Sequence, residues 1–386
     1  MTITMSPRYY LDHAATSHPK PPEVWEAFLH QAREIGAPAG RSGYREAVES
    51  ERAVEDARRT LARFLGGVPE RVVFTLNATD ALNIAIKGTL RPDDHVVTTV
   101  MEHNSVTRPL RKLENERGIR VTRVSVSASG VVDPAAIEAA FEKSTRLVVM
   151  AHASNVTGTI QPVSQVSALA RERGIVFLVD AAQTAGTLPI HLENDGIDLL
   201  AVPGHKGLLG PPGTGALLLR EGIELESFRE GGTGFRGTEA LQPTEYPWRL
   251  EAGSPNTPGI AGLAAGVKAI EGEGLERIQE RLHGLMKTFQ GGVAELPGLT
   301  LFGSSNIEKR EPVYSINLSG HSPEELATLL DAQFGVQVRS GLHCAPGCHE
   351  AMGSFPAGTC RFSMGSMSRV EDVEAGVEAL REIAGA

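Results

Sequence analysis

Lys206 stands in the stretch Pro203-Gly204-His205-Lys206-Gly207, just past an apolar run. Asp180 closes another run, Ile175-Val176-Phe177-Leu178-Val179, ahead of Ala181-Ala182-Gln183. A primary amine able to form a Schiff base, with a carboxylate able to keep a pyridine nitrogen protonated, is the minimum a chain must supply for pyridoxal phosphate to act as an electron sink. Gly204 and Gly207 flank the lysine and permit close backbone approach to a ligand. A third part is Asn77-Ala78-Thr79-Asp80, between a strand-like run and the helical Ala81 to Ile86. There a phosphate would meet free backbone N–H groups and the positive end of a helix dipole, with the Thr79 hydroxyl as a further donor. Taken singly, each part has a plainer reading: Asp180, Thr79 and Asp80 as helix N-caps, Lys206 as a solvated loop lysine. Their joint occurrence is what points to the cofactor.

Sulfur chemistry is suggested by Cys344, in a loop bounded by Gly341 and Pro346 that is expected to be mobile. A thiolate rather than a thiol is the nucleophile, and His343 and Arg339 are the nearby groups expected to favour the anion. Cys344, Cys348 and Cys360 share one C-terminal window, and an odd count in a long chain argues for reduced thiols over a disulfide framework. A zinc site built from His343, Cys344, Cys348, His349 and Cys360 has suitable ligand types but atypical spacing. Cys348 reads as a spare thiol in preference to a persulfide relay.

These groups need a scaffold. Short β-branched runs at 72–76, 96–100, 121–126, 147–152, 176–180 and 199–202 alternate with helical periodicity, for example Val163, Val166, Leu169 and Ala170 before Gly174. That alternation predicts an α/β fold with a mostly parallel sheet covered on both faces. Val54, Ala57, Leu61 and Phe64 form an amphipathic stripe closed by Gly66-Gly67. Beyond about residue 258 the pattern turns to helices at 262–270 and 275–296 and short strands at 313–318 and 336–339, as in a smaller α+β lobe. Ser368 and Glu371 have capping-box spacing ahead of Val373, Val377 and Leu380.

With 386 residues, 41% hydrophobic and 22% charged, the chain is an ordinary globular one of more than a single small core. Its 37 basic and 47 acidic residues give a net charge of −10, which disfavours nucleic acid as a partner. No apolar run approaches the roughly 18 residues that span a bilayer, and Met1 to Arg8 lacks a signal-peptide core, so no membrane association and a cytoplasmic location are expected. Two glycine-rich stretches are decoys. Gly232 to Gly237 satisfies G-x-G-x-x-G without a clear strand before it, and the glycines at 210–215 follow the lysine where a nucleotide loop would precede it.

Seven stretches, in order, resemble the cysteine desulfurases among the class V aminotransferase-like enzymes: Asn77 to Asn83, Glu102 to Ser105, Ser154 to Gly158, Asp180 to Gln183, Gly204 to Lys206, Glu251 to Thr257 and Arg339 to Cys344. The similarity runs from Tyr10 to Arg361. It implies a fold-type I pyridoxal-phosphate enzyme: a large domain, 15–257, around a mostly parallel sheet of seven-stranded type, and a small domain, 1–14 with 258–386, carrying the cysteine loop. The resemblance makes Lys206 the Schiff-base lysine and proton shuttle, Asp180 the partner of the pyridine nitrogen, Gln183 that of the ring hydroxyl and His103 the residue stacked on the ring. It gives phosphate contacts to Ala78, Thr79 and His205, and to Ser254 across a homodimer interface. Asn155 is implied to hold cofactor or substrate, Arg339 and Arg361 to hold substrate, Arg361 through the substrate's carboxylate, and Cys344 to accept sulfur from L-cysteine or a close analogue for delivery to an acceptor protein. A class V aminotransferase or a selenocysteine lyase would use the same socket. The chain departs from the usual pattern at Pro203, where Ser is common, and at His13 and Leu342.

Overall fold

The computed structural model describes residues 7–40 and 42–385, so residues 1–6 of the Met1 to Arg8 opening lie outside the described residues. In chain order the strands are β1 (Tyr9–Tyr10), β2 (Val72–Thr75), β3 (His95–Thr99), β4 (Arg120–Val124), β5 (Thr145–Ala151), β6 (Val176–Asp180), β7 (Leu199–Pro203), β8 (Gly215–Leu219), β9 (Leu299–Leu301), β10 (Val313–Leu318), β11 (Val336–Gln337), β12 (Arg339–Gly341) and β13 (Thr359–Ser363). The first four helices are α1 (Pro22–His30), α2 (Arg45–Leu65), α3 (Ala78–Thr89) and α4 (Asn104–Arg117).

The central sheet has the order β2-β8-β7-β6-β5-β3-β4. Strands β3 to β7 pair in parallel, whereas β8 is antiparallel to both β7 and β2. Every strand but β8 therefore points the same way, and their carboxyl ends share one edge. Strands β3, β7 and β8 are buried at every position, which is why they read as unbroken apolar runs rather than alternations. Strand β8 was not anticipated, because the glycines and prolines at 210–215 masked a strand that begins within them.

The C-terminal part forms a four-stranded antiparallel sheet, β12-β13-β10-β9, with β1 pairing β11 in parallel beside it. The run expected as one strand at 336–339 is two: Val336–Gln337 joins β1, and Arg339–Gly341 joins β13. The capping box is also shifted. Asp372 accepts from the Arg369 backbone N–H at 3.0 Å, whereas Ser368 Oγ accepts from Gly365 N–H. The carboxylate that reaches back to the chain, not the serine, sets the start of the last helix. The stripe over Val54 to Phe64 lies in α2, which ends at Gly66 with φ +71°. The Gly232 to Gly237 stretch is irregular, with Phe235 stacked on Trp248 at 4.0 Å.

Close backbone packing holds the turn that carries Lys206. A Cβ on Gly207 would lie 2.3 Å from Ala185 O, and one on Gly266 would lie 2.5 Å from Leu208 O. The crossover after β6 and the helix Thr257–Glu273 thus clamp the turn from two sides. Gly207→Ala is expected to destabilise the protein by about 1–3 kcal/mol, the usual cost of overpacking. Urea unfolding measures the effect, and an unchanged midpoint would contradict the clamp.

Candidate active site

A cavity of about 320 Å³ opens at the carboxyl edge of the central sheet, where open α/β sheets place ligands. Ala78, Thr79, His103, Asn155, Asp180, Gln183, His205, Lys206, Arg339 and Arg361 all line it. Most arrive from the ends of central-sheet strands: α3 follows β2, His103 follows β3, Asn155 follows β5, Asp180 ends β6 and Lys206 follows β7, while Arg339 and Arg361 come from β12 and β13 of the smaller sheet. Pro203 also lines the cavity; His13 and Leu342 do not.

Lys206 is half-buried, and desolvation pulls its amine's pKa from 10.5 to about 8 against the opposing attraction of Asp180. A fraction of the amine is then neutral near physiological pH, as imine chemistry needs. Asp180 accepts from Ala182 N–H at 3.0 Å through Oδ1, and burial raises its pKa while that bond and Lys206 lower it. Behind it lies Glu102, wholly buried, with Oε2 accepting from Ala151 N–H at 3.0 Å and Oε1 2.6 Å from Thr99 Oγ1. Desolvation foremost, and also the Asp180 charge, push Glu102 up to about 8. Glu102 stood in a matching stretch without a role; its signal was an acid amid apolar strand-end residues.

His103 caps α4: its Nδ1 accepts from Ser105 N–H at 3.1 Å and sits 2.8 Å from Ser105 Oγ, which lies 2.7 Å from Thr79 Oγ1. Burial, with Lys206 and nearby arginines, lowers its pKa to about 4, so the ring is neutral. Ala78 and Thr79 begin α3, and first-turn amides have no partner within the helix. His205, lowered to about 4 by burial, anchors its own turn: its carbonyl accepts from Ser17 N–H and from Lys20 Nζ at 3.1 Å. Gln183 Nε2 donates to Ala14 O at 3.2 Å.

Arg361 on β13 is 1% exposed, donating to Asp12 Oδ1 at 2.8 Å and to Asn155 O at 2.9 Å. Among the described residues its Nε, itself buried, has no hydrogen-bond partner. An arginine on a cavity wall is suited to a carboxylate, since a guanidinium can bind both oxygens. Asn155 spends its Nδ2 donor on His343 O at 2.7 Å.

Cys344 is exposed and lies in an adjoining groove that shares Thr79, His103 and Ser105 with the cavity. Arg339, one of the two groups expected near the cysteine, has its Nη2 3.8 Å from the sulfur. His343 supplies no cation there. It is buried between His349 and the Arg339 carbonyl, and desolvation lowers its pKa to about 2, so it brings no positive charge. His343 and Cys344 have φ +49° and +58°, an uncommon pair for residues with side chains. Their carbonyls accept from Asn155 Nδ2 and Asn104 N–H, both at 2.7 Å, so the loop expected to be mobile is tied at its tip.

Cys348 and Cys360 are buried, and desolvation raises both to about 12, which leaves them as thiols. Among the described residues no three His, Cys, Asp or Glu side chains converge as a metal set. Ser254 lines a separate cleft together with Arg58 and Glu251, whose ion pair spans 2.8 Å.

The aminotransferase class-V family profile matches residues 9–375, and the chain belongs to that family. Its relatives within the family are narrower. A probable cysteine desulfurase of Methanothermobacter thermautotrophicus is 35% identical over 97% of this chain and 94% of its own, and a cysteine desulfurase of Yersinia pestis is 31% identical over 99% and 94%. The apo structure of the cysteine desulfurase from Thermococcus onnurineus NA1 superposes with a TM-score of 0.93 at 33% identity, covering 98% of this chain and 95% of that one.

Glu102 offers a test of the buried acids. A carboxyl raised to about 8 when folded binds more protons than the unfolded chain between pH 4.5 and 8, so it makes stability fall as pH rises through that window. Glu102→Gln is expected to flatten that fall in urea unfolding between pH 5 and 8. An unchanged slope would show that the carboxyl is not held neutral.

Proposed function

We propose that this protein is a pyridoxal-phosphate-dependent cysteine desulfurase, converting L-cysteine to L-alanine and retaining the sulfur as a persulfide on Cys344. The observation that carries the proposal is a single cavity lined by Lys206, Asp180 and Arg361, with an exposed cysteine in the groove beside it. Relatives named cysteine desulfurase support the same reading.

The residues fit the cofactor. A desolvated amine, a strand-end carboxylate, a neutral imidazole and a helix N-terminus surround a space large enough for a pyridine ring and its phosphate. When bound, pyridoxal phosphate would supply an electron sink for the substrate's Cα. Lys206 holds it and carries the Cα proton, Asp180 keeps the ring nitrogen protonated, Gln183 binds the ring hydroxyl and His103 fixes the ring plane. Ala78, Thr79 and His205 bind the phosphate, with Ser254 of a second copy completing that site in a homodimer. Arg361 takes the substrate carboxylate; Asn155 and Arg339 orient the substrate. The Cys344 thiolate attacks the substrate sulfur, the Cβ–S bond breaks with its electron pair left on carbon, and protonation of that carbon gives the methyl group of alanine.

In this reading 15–257 form the cofactor domain and 1–14 with 258–386 the small domain, and the enzyme is cytoplasmic and passes sulfur to an acceptor. Among the described residues no helix is long and apolar enough to cross a membrane.

Purified protein given pyridoxal phosphate and L-cysteine should release alanine without a 2-oxo acid. Lys206→Ala should lose all turnover. Cys344→Ser should keep the cofactor's absorbance yet form no protein persulfide; undiminished desulfuration by that variant would refute the nucleophile, and a requirement for a 2-oxo acid would favour an aminotransferase. Arg361→Met should raise KM for L-cysteine by about 10–100-fold, the factor expected for losing hydrogen bonds to a charged group. An unaltered KM would remove Arg361 from substrate binding.

A further inference from the structure

The groove that holds Cys344, about 350 Å³, is lined by Lys87 on α3, by Arg108 and Lys112 one helical turn apart on α4, and, among the described residues, by no acidic side chain. Arg339 Nη2 lies 3.8 Å from the Cys344 sulfur. Lys112 is partly neutralised by Glu116 at 2.9 Å, but both are exposed and such pairs are weak. Lys87 sits 4.9 Å above the Phe228 ring, a contact that orients the ammonium without cancelling its charge. Desolvation, with Lys112 close by, lowers the Lys87 pKa. On a chain with a net charge of −10, a groove of cations around its one exposed cysteine runs against the average surface. Such a groove selects for negative charge in whatever approaches that sulfur.

We propose that the groove binds a small acceptor thiol bearing carboxylates, and that Lys87 and Arg108 hold it for sulfur transfer from Cys344. The volume is that of a small-molecule site, which favours such a ligand over a protein segment. This rests on the desulfurase reading above. In the transfer, the acceptor thiolate attacks the outer sulfur of the Cys344 persulfide. A new S–S bond forms, and the old one breaks with its electron pair leaving on Cys344 Sγ as thiolate. The outer sulfur and its proton go to the acceptor, so the step needs no oxidant or reductant.

The test has two arms on the pyridoxal-phosphate-loaded enzyme. In the first, Cys344 is alkylated before any substrate is added, with iodoacetate and iodoacetamide, each rate normalised to that of free cysteine. In the second, persulfide formed from labelled L-cysteine is discharged by mercaptosuccinate or 2-mercaptoethanol, each rate corrected for thiolate fraction. The anionic reagent is expected to be favoured about fivefold or more in both arms at low salt, the effect of one well-placed charge pair in water. The preference should vanish near 1 M salt, where the screening length is about 3 Å. It should also vanish in Lys87→Glu/Arg108→Glu, while alanine release continues unchanged with 2-mercaptoethanol as acceptor. Equal normalised rates in the wild type, or a preference that survives the double substitution, would overturn the proposal. Charge-selective alkylation without persulfide would instead sink the desulfurase reading and leave an anion-binding groove.

Discussion

An amine taken out of water against a carboxylate, at the one edge where six strands end together, is the constraint on which the rest of the structure depends. Asp180 ends β6 and Lys206 lies on the turn after the adjacent β7, and the two strands pair in parallel, so the sheet register fixes their separation. Burial works on the two in opposite senses, lowering the lysine and raising the acid, while their mutual attraction restores both. A free lysine would be charged and inert at neutral pH; this one is poised to react. The same edge brings a helix N-terminus and an imidazole to one cavity, and arginines on β12 and β13 of the smaller sheet complete its wall.

Around this pair the protein keeps charge scarce. His103, His205 and His343 are all held neutral by burial, and Glu102 is pushed towards its neutral form directly behind Asp180. Local positive charge then comes from arginines, which hold their charge where histidines give theirs up. Arg361 is anchored by Asp12 from the N-terminal segment, and Arg339 lies beside Cys344. The N-terminal segment is itself fastened to the C-terminal part through β1 and β11. Residues far apart in sequence thus meet over one pocket.

Much of this was legible from sequence because the local signals were strong. Strand-ending acids, a lysine between glycines and an N-capped helix announce themselves within a few residues, and the alternation of runs announced the parallel sheet. Features set by tertiary contacts were not. Strand β8 hides behind a glycine- and proline-rich start, and the split of Val336 to Gly341 between two sheets depends on partners on other strands, β1 and β13. His343 was read as a cation because sequence shows its neighbours along the chain, not the His349 ring and carbonyl that enclose it. The cap at Arg369 and Asp372 was missed by one residue because either spacing satisfies the pattern. The cationic groove beside Cys344 was illegible for the same reason: Lys87 and Arg108 meet only when α3 and α4 pack.

The most direct test of the central claim is to load the protein with pyridoxal phosphate, reduce it with borohydride and map the modified peptide by mass spectrometry. A single pyridoxyl adduct is expected, on the Lys206 amine. Modification of another lysine, or none at all, would contradict it.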